Sequence, residues 1–328
     1  MSDITMIRAA AERLKGHARR TPLLSSPFLD DIAGRRVFVK PECLQHTGSF
    51  KYRGGRSALS ALDAQTRKKG VIAYSSGNHA QGVAKAAAEY GVPSVIIMPA
   101  DAPKLKIDNT RALGAEVVLY DREGGESREA VGEALVAERG LTLIKPYDEP
   151  LVIAGQGTCG LEIAEQAREA GIERGDVLVC CGGGGLTSGI AMALEAEAPG
   201  LRTRPVEPEG FDDVARSLRS GQRESNPRAS GNICDAILTP SPGEITFPIL
   251  QRLCGPGIAV SEEDCLRAMG VAFQRLKLVA EPGGAAALAA ALYHADEIEG
   301  DTVICTISGG NVDAAIFRRA LATLEESP

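Results

Sequence analysis

DVLVCCGGGGLTSGIAMALEAEAPG, residues 176–200, is three kinds of chain in a row. Val177 to Cys181 is an unbroken apolar run, as expected of a strand buried on both faces. Gly182, Gly183, Gly184 and Gly185 then remove every side chain, and from Leu186 the stretch turns helix-like. Four glycines let the backbone approach a ligand closely and turn its N–H groups toward an anion at the positive end of the following helix. A phosphate is the natural guest. The dinucleotide spacing GxGxxG fails, because Ser188 stands where the third glycine should be. A purely structural glycine turn is the rival explanation.

The same unit recurs outward in both directions. VIAY (71–74) precedes SSGNHAQGVAKAAAEYG, SVIIMP (94–99) precedes a helical stretch near Lys104–Leu113, and EVVLY (116–120) precedes ESREAVGEALVAERG. TVICTIS (302–308) leads into NVDAAIFRRALATLEE. Strands alternating with helices predict an α/β chain with parallel sheets covered on both faces. Residues 220–241, rich in Gly, Pro, Asn and Ser, predict an irregular excursion. In such sheets ligands bind beyond the carboxyl ends of strands. Two further junctions there are unusual: SSGNH (75–79), with hydroxyl and amide donors around Gly77, and SGGN (308–311). Each, taken alone, is equally well a helix cap or a turn.

Composition narrows the class. The 328 residues are 44% hydrophobic and 24% charged, ordinary for a globular protein. A net charge of −7 leaves no basic face for nucleic acid. Eight cysteines form no CxxC pair, so they read as reduced thiols rather than zinc ligands. The N-terminal twenty residues have no apolar signal core, and Ile7, Ala11 and Leu14 recur at helical spacing. The apolar run AAALAAALY (285–293) is too short to span a bilayer. The cytoplasm is the expected location, with no membrane partner.

Lys51 is the element that connects these anion sites. In HTGSFKYRGG (46–55) it lies between Phe50 and Tyr52 in a glycine-rich loop. An amine beside one phosphate site and one carboxylate site is what Schiff-base chemistry requires: the phosphate anchors an aldehyde cofactor, the amine holds it, and the second site orients an amino acid.

Together, TGSFKYRGG (47–55), SSGNHAQGVA (75–84), EPLVIAGQGT (149–158), CGGGGLTSGI (181–190), EPGGAAALA (281–289) and ISGGN (307–311) resemble the fold-type II pyridoxal-phosphate enzymes, whose fold is tryptophan synthase beta-like. Within them they resemble the serine/threonine dehydratase and serine racemase branch. The resemblance runs from about residue 20 to 320 and implies two open, twisted, mostly parallel sheets with helices on both faces. Residues 1–69 and 147–328 would form a large cofactor-binding domain, and 70–146 a small domain carrying the substrate carboxylate loop.

It also implies roles. Lys51 would hold pyridoxal 5′-phosphate covalently, and Phe50 would pack beside its ring. Asn78 would hydrogen-bond the ring oxygen, Gly182 to Gly185 with Leu186 would bind the phosphate, and Ser308 would face the ring nitrogen. Ser75, Ser76, Gly77, Asn78 and His79 would cradle the substrate α-carboxylate. Freed Lys51 would take the α-proton, and Ser76, on the opposite face, would return one in racemisation. The implied reaction converts a β-hydroxy amino acid of the serine/threonine type to a 2-oxo acid and ammonia, with racemase side activity. A homodimer is implied as well. Glu207, the Phe211 carbonyl and Asp213, in VEPEGFDD, match the branch's site for Mg²⁺, Ca²⁺ or Mn²⁺, hard cations that take oxygen ligands.

The chain departs from the family pattern in places. His46 replaces the usual basic residue, Asp235-Ala236 replaces Asp-Gly near the ring, and Tyr74 and Tyr147 border the substrate pocket. Ending at Pro328 leads away from the long, feedback-inhibited threonine dehydratases. Arg128 matches an arginine that can reach the distal end of the substrate, where it would pair with a second carboxylate. That makes a 3-hydroxyaspartate dehydratase, or a serine- or aspartate-type racemase, the alternative. A β-replacement synthase fits less well because its phosphate loop is richer in threonine. A non-catalytic cofactor-binding protein is the remaining option.

Overall fold

A computed structural model describes residues 3–75, 77–102, 104–121 and 124–325. Among the described residues the ten strands are β1 (Leu24–Ser25), β2 (Arg36–Pro41), β3 (Val71–Tyr74), β4 (Ser94–Pro99), β5 (Glu116–Tyr120), β6 (Thr142–Leu143), β7 (Gly175–Cys180), β8 (Leu201–Pro208), β9 (Ile258–Val260) and β10 (Thr302–Ile307). They form a six-stranded sheet in the order β1-β2-β10-β7-β8-β9 and a four-stranded sheet in the order β5-β4-β3-β6. Every pairing is parallel except β1 on β2. The chain is thus α/β with two mostly parallel sheets, as the strand–helix alternation predicts.

The central strands are apolar because helices cover both faces. The apolar run at 176–181 becomes β7, and the helix Gly185–Glu197 follows its glycine turn. AAALAAALY lies in the helix Pro282–Tyr293, which is buried from Pro282 through Leu292 and packs against β7, β8 and β10. A helix that is apolar all round has to be a core helix. At the N-terminus Ile7 and Leu14 are buried as their spacing predicts, but Ala10 rather than Ala11 completes the stripe. Helix Pro150–Glu169 packs tightly on Gly185–Glu197: a Cβ at Gly189 would lie 2.6 Å from the backbone nitrogen of Gly157. Those two glycines bring the helix backbones together, which carries the glycine turn to its place beside residues 146–148.

All eight cysteines are free. Helix Lys51–Ala61 is pinned by buried charge. Arg53, 1% exposed, forks onto Glu42 at 2.7 and 2.8 Å and onto Glu162 at 2.7 and 2.9 Å. Lys40 joins the network through Glu162 at 2.6 Å and Gln166 at 2.9 Å. Bidentate arginine–carboxylate pairs fix direction as well as distance, so Lys51 is launched from a rigid first turn.

Candidate active site

Parallel strands point their carboxyl ends the same way, and the segments that follow β3 and β10 meet at one cleft of about 870 Å³. A smaller cavity opens beside it at the glycine turn, lined by Phe50, Lys51, Gly182 to Leu186 and Ser308. The side chains that the sequence singled out for the cofactor therefore come together.

The anion-binding end is built by helix Gly185–Glu197. Gly184 caps it with φ of 92°, a left-handed backbone that glycine adopts without cost. The first helical bond runs from Ser188 N–H to the Gly184 carbonyl at 2.8 Å. The N–H groups of Gly185, Leu186 and Thr187 thus have no partner within the helix. The Thr187 hydroxyl beside them is buried and has no oxygen or nitrogen partner. Three free N–H groups, one unpaired hydroxyl and a helix dipole make a cradle suited to a phosphate. The Tyr147 ring lies over Gly183, where a Cβ would collide with it.

Lys51 Nζ donates to the Pro146 carbonyl at 2.8 Å and sits 5.2 Å from the Phe50 ring centre. Burial lowers its pKa to about 8, with Glu281 pulling the other way. Ser308 closes the far end: its N–H donates to the Gly284 carbonyl and its own carbonyl accepts from Phe50 N–H at 3.1 Å. A ring with a phosphate at one end, an aldehyde in reach of Lys51 and a nitrogen toward Ser308 fits these residues. Ala236 lines the cleft and the smaller cavity alike.

The second anion site is the start of helix Asn78–Tyr90. Gly77 N–H is held by Ser75 Oγ at 3.1 Å, and the first helical bond goes from Gln81 N–H to the Gly77 carbonyl. The N–H groups of Asn78, His79 and Ala80 are left free of helical partners, and the space above Gly77 is open. The His79 ring is committed elsewhere, with Nε2 2.8 Å from the Ile144 carbonyl and burial lowering its pKa to about 3. A neutral ring donating through Nε2 leaves Nδ1 as an unpaired buried acceptor. His79 thus offers an anion its backbone N–H. Ser76 lies outside the described residues.

Arg128 starts helix Arg128–Arg139 at the mouth of the cleft, its Nε 2.7 Å from Glu129 Oε1. Two residues without an assigned role stand closer to the centre. Glu281, 4% exposed, accepts from Asn78 Nδ2 at 2.6 Å, and burial raises its pKa to about 7. Lys106 spans the cleft to Asp235 at 3.1 Å. EPGG and ISGGN mark Glu281 and Asn311 as unusual, yet only tertiary approach reveals their partners.

Glu207 and Asp213 also lie close together. Glu207, fully buried, accepts from the N–H groups of Val214 at 2.9 Å and Ala215 at 2.7 Å. Asp213 Oδ1 takes Asn226 Nδ2 at 2.6 Å, while its Oδ2 is buried without a partner. Burial and then the Asp213 charge push Glu207 well up, and burial raises Asp213 to about 6. Among the described residues no three His, Cys, Asp or Glu side chains converge as metal ligands, so this is a two-carboxylate set.

Residues 14–309 match the family described as pyridoxal-phosphate dependent enzyme. The chain is 43% identical over 304 residues to an L-threo-3-hydroxyaspartate ammonia-lyase of Pseudomonas sp, covering 93% of each chain. It is 38% identical over 317 residues to a serine racemase of Arabidopsis thaliana, covering 95% of this chain and 94% of that one. The crystal structure of a threonine deaminase from T.th. superposes with a TM-score of 0.89 at 46% identity, covering 95% of this chain and 99% of that one. With a match of that extent and a cavity whose glycine turn, lysine and serine suit the cofactor, the chain belongs to the pyridoxal-phosphate dependent enzymes.

Proposed function

We propose that this lyase eliminates water from a β-hydroxy amino acid, and that the enamine released, as its imine, takes up water to give a 2-oxo acid and ammonia. The observation that carries the reading is the Lys51 amine, held near a pKa of about 8 between two free helix N-termini. A base works best when its pKa lies near the working pH, and here burial supplies the shift. The cofactor, when bound, supplies an electron-withdrawing ring that acidifies the substrate's α-carbon. Gly185, Leu186 and Thr187 would hold its phosphate, Ser308 would face its nitrogen, and Asn78 would face its ring oxygen. The N–H groups of Asn78 and His79 bind the α-carboxylate, with Ser75 and Gly77 shaping the turn that presents them. That placement leaves the α-hydrogen toward Lys51, which accepts it. The resemblance assigns the return of a proton in racemisation to Ser76, so S76A should cut racemisation far more than elimination. Equal losses would refute that division.

The distal end of the cleft favours a second reading on one observation. Lys106, Arg128 and Arg223 line the cleft, each paired with an acid, Asp235, Glu129 and Glu244, that the second carboxylate of a substrate such as 3-hydroxyaspartate could replace. The test is release of 2-oxo acid from serine, threonine and the 3-hydroxyaspartate stereoisomers by the holoenzyme. Oxaloacetate as the main product selects the dicarboxylic substrate, pyruvate or 2-oxobutyrate selects serine or threonine, and no product from any of them refutes the lyase.

Glu207, the Phe211 carbonyl and Asp213 are proposed to hold Mg²⁺, or Ca²⁺ or Mn²⁺, supported by the unpaired Asp213 Oδ2. A cation relieves the repulsion between two buried acids. Unchanged melting temperature on chelation would refute it. Residues 70–146, which contain the whole four-stranded sheet, are proposed as a small domain contributing the substrate carboxylate loop, with 1–69 and 147–328 forming the large cofactor-binding domain. Exposed Phe28, Ile32, Phe273 and Val279 around helix Pro27–Ala33 support a homodimer. No helix among the described residues is long and apolar enough to cross a membrane, and the cytoplasm is the proposed location.

A further inference from the structure

Four residues far apart in sequence form one hydrogen-bonded line across the floor of the site. Thr47, four residues before Lys51, has φ of 59°, a region that a β-branched residue rarely occupies. Its carbonyl accepts from Asn311 Nδ2 at 2.8 Å. The same Nδ2 donates to Asn78 Oδ1 at 2.7 Å, and Asn78 Nδ2 donates to Glu281 Oε1 at 2.6 Å.

The direction of this line is fixed at one end. A carbonyl only accepts, so Asn311 must turn its NH₂ group toward Thr47. With one hydrogen there and the other on Asn78, Asn311 has no donor left. Asn78 must then turn its oxygen toward Asn311 and its own NH₂ group toward the site. One of those hydrogens goes to Glu281 and one remains free. Glycines make room at two points: a Cβ at Gly48 would fall 2.7 Å from Asn311 Oδ1, and one at Gly309 would collide with Glu281 Oε1. Around this line the lysine loop and the end of β10 are stapled by Phe50 N–H to the Ser308 carbonyl and Gly310 N–H to the Gly48 carbonyl. Asn311 is the link from that pair of segments to the third junction, at Asn78.

We propose that Asn311 is a positioning residue: it sets the amide of Asn78 so that an N–H, not the oxygen, faces the anionic ring oxygen of the bound cofactor. The inference rests on the assignment of Asn78 to that ring oxygen. It gives the Thr47 conformation a use, because the strained turn aims the carbonyl that starts the line.

The test compares N311D, N311A and N78A by equilibrium titration with pyridoxal phosphate and by the visible spectrum of the bound cofactor across pH. In N311D an isosteric carboxylate accepts where Asn311 donated. Asn78 then flips, and its oxygen meets the ring oxygen. Cofactor affinity should fall about tenfold or more, the loss of one charge-assisted hydrogen bond, with a displaced spectral pH midpoint. N311A only frees the amide and should lose less in both measures. Wild-type affinity and spectrum in either folded variant at position 311 would overturn the proposal. So would equal losses with unchanged spectra, which a merely structural contact would give. An altered N78A beside a normal N311D removes the positioning role alone. Normal behaviour in both removes the assignment of Asn78 as well.

Discussion

Replacing Arg53 by methionine should destabilise the protein through a charge left behind rather than through a hole. Methionine keeps most of the side-chain length but none of the five donors. Glu42, fully buried, loses both of its arginine bonds and keeps only the Thr21 hydroxyl at 2.7 Å. Glu162 retains Lys40. Removing one partner of a buried ion pair costs about 3–5 kcal/mol because the other charge stays buried. Unfolding entropy of about 2.1 cal/mol/K per residue gives about 0.7 kcal/mol/K for 328 residues, so the melting temperature should fall by about 4–7 °C.

The pH dependence separates this cause from simple loss of packing. Arg53 holds the Glu42 carboxyl below its ordinary 4.5 against the opposing effect of burial. In the native protein that contribution is fully present above pH 4.5 and is lost as pH falls through the lower folded value. Without Arg53, burial raises Glu42 instead. The variant's penalty is then largest well above that raised value and is relieved by protonation as pH falls. The gap in melting temperature between R53M and the native protein should narrow steadily from pH 8 toward pH 4, followed by circular dichroism. A gap that stays constant over that range, or one below about 2 °C at pH 8, would refute the argument.

Three other outcomes are expected. G184A puts a methyl where φ is 92° and 2.8 Å from Leu250 Cδ1; titration should show cofactor affinity reduced about tenfold or more, with the fold retained. The rate at which cofactor-free protein captures pyridoxal phosphate should rise with pH through a midpoint near 8, since the neutral Lys51 amine is the nucleophile; a midpoint near 10.5 would mean that burial does not tune it. R128A should lower kcat/KM for 3-hydroxyaspartate by about ten- to a hundredfold while serine turnover changes less than about twofold, and equal losses would return Arg128 to the surface.

The sequence was most legible where strands end. Apolar runs at 71–74, 94–99, 116–120, 176–181 and 302–308 are all strands in the structure, and the junctions after the first, fourth and fifth of them line the site. β8 was hidden because its sequence, LRTRPVEP, carries two arginines and two prolines in a sheet interior. Arg204 is tolerated there because Asp176 at 3.0 Å and the carbonyls of Pro256 and Glu297 take its donors. A periodicity argument cannot see a charge neutralised by a residue on another strand. The same limit hid Glu281 and Asn311. Their motifs stood out, but their work is done on Asn78, more than two hundred residues earlier in the chain.

What tunes Lys51 follows from topology more than from any one neighbour. The strands before Asn78 and Gly185 belong to different sheets, yet both helices begin at the carboxyl edge and aim their positive ends into the cleft. Burial opposes a positive charge on the amine, and Glu281 is the acid that pulls it back; the positive helix ends facing the cleft act in the same direction as burial. A phosphate and a carboxylate, once seated, neutralise those helix ends. The amine then becomes easier to protonate when a substrate is present to give it a proton. On the proposed roles, Lys51 would be the better nucleophile while the anion sites are empty and a stronger base as they fill.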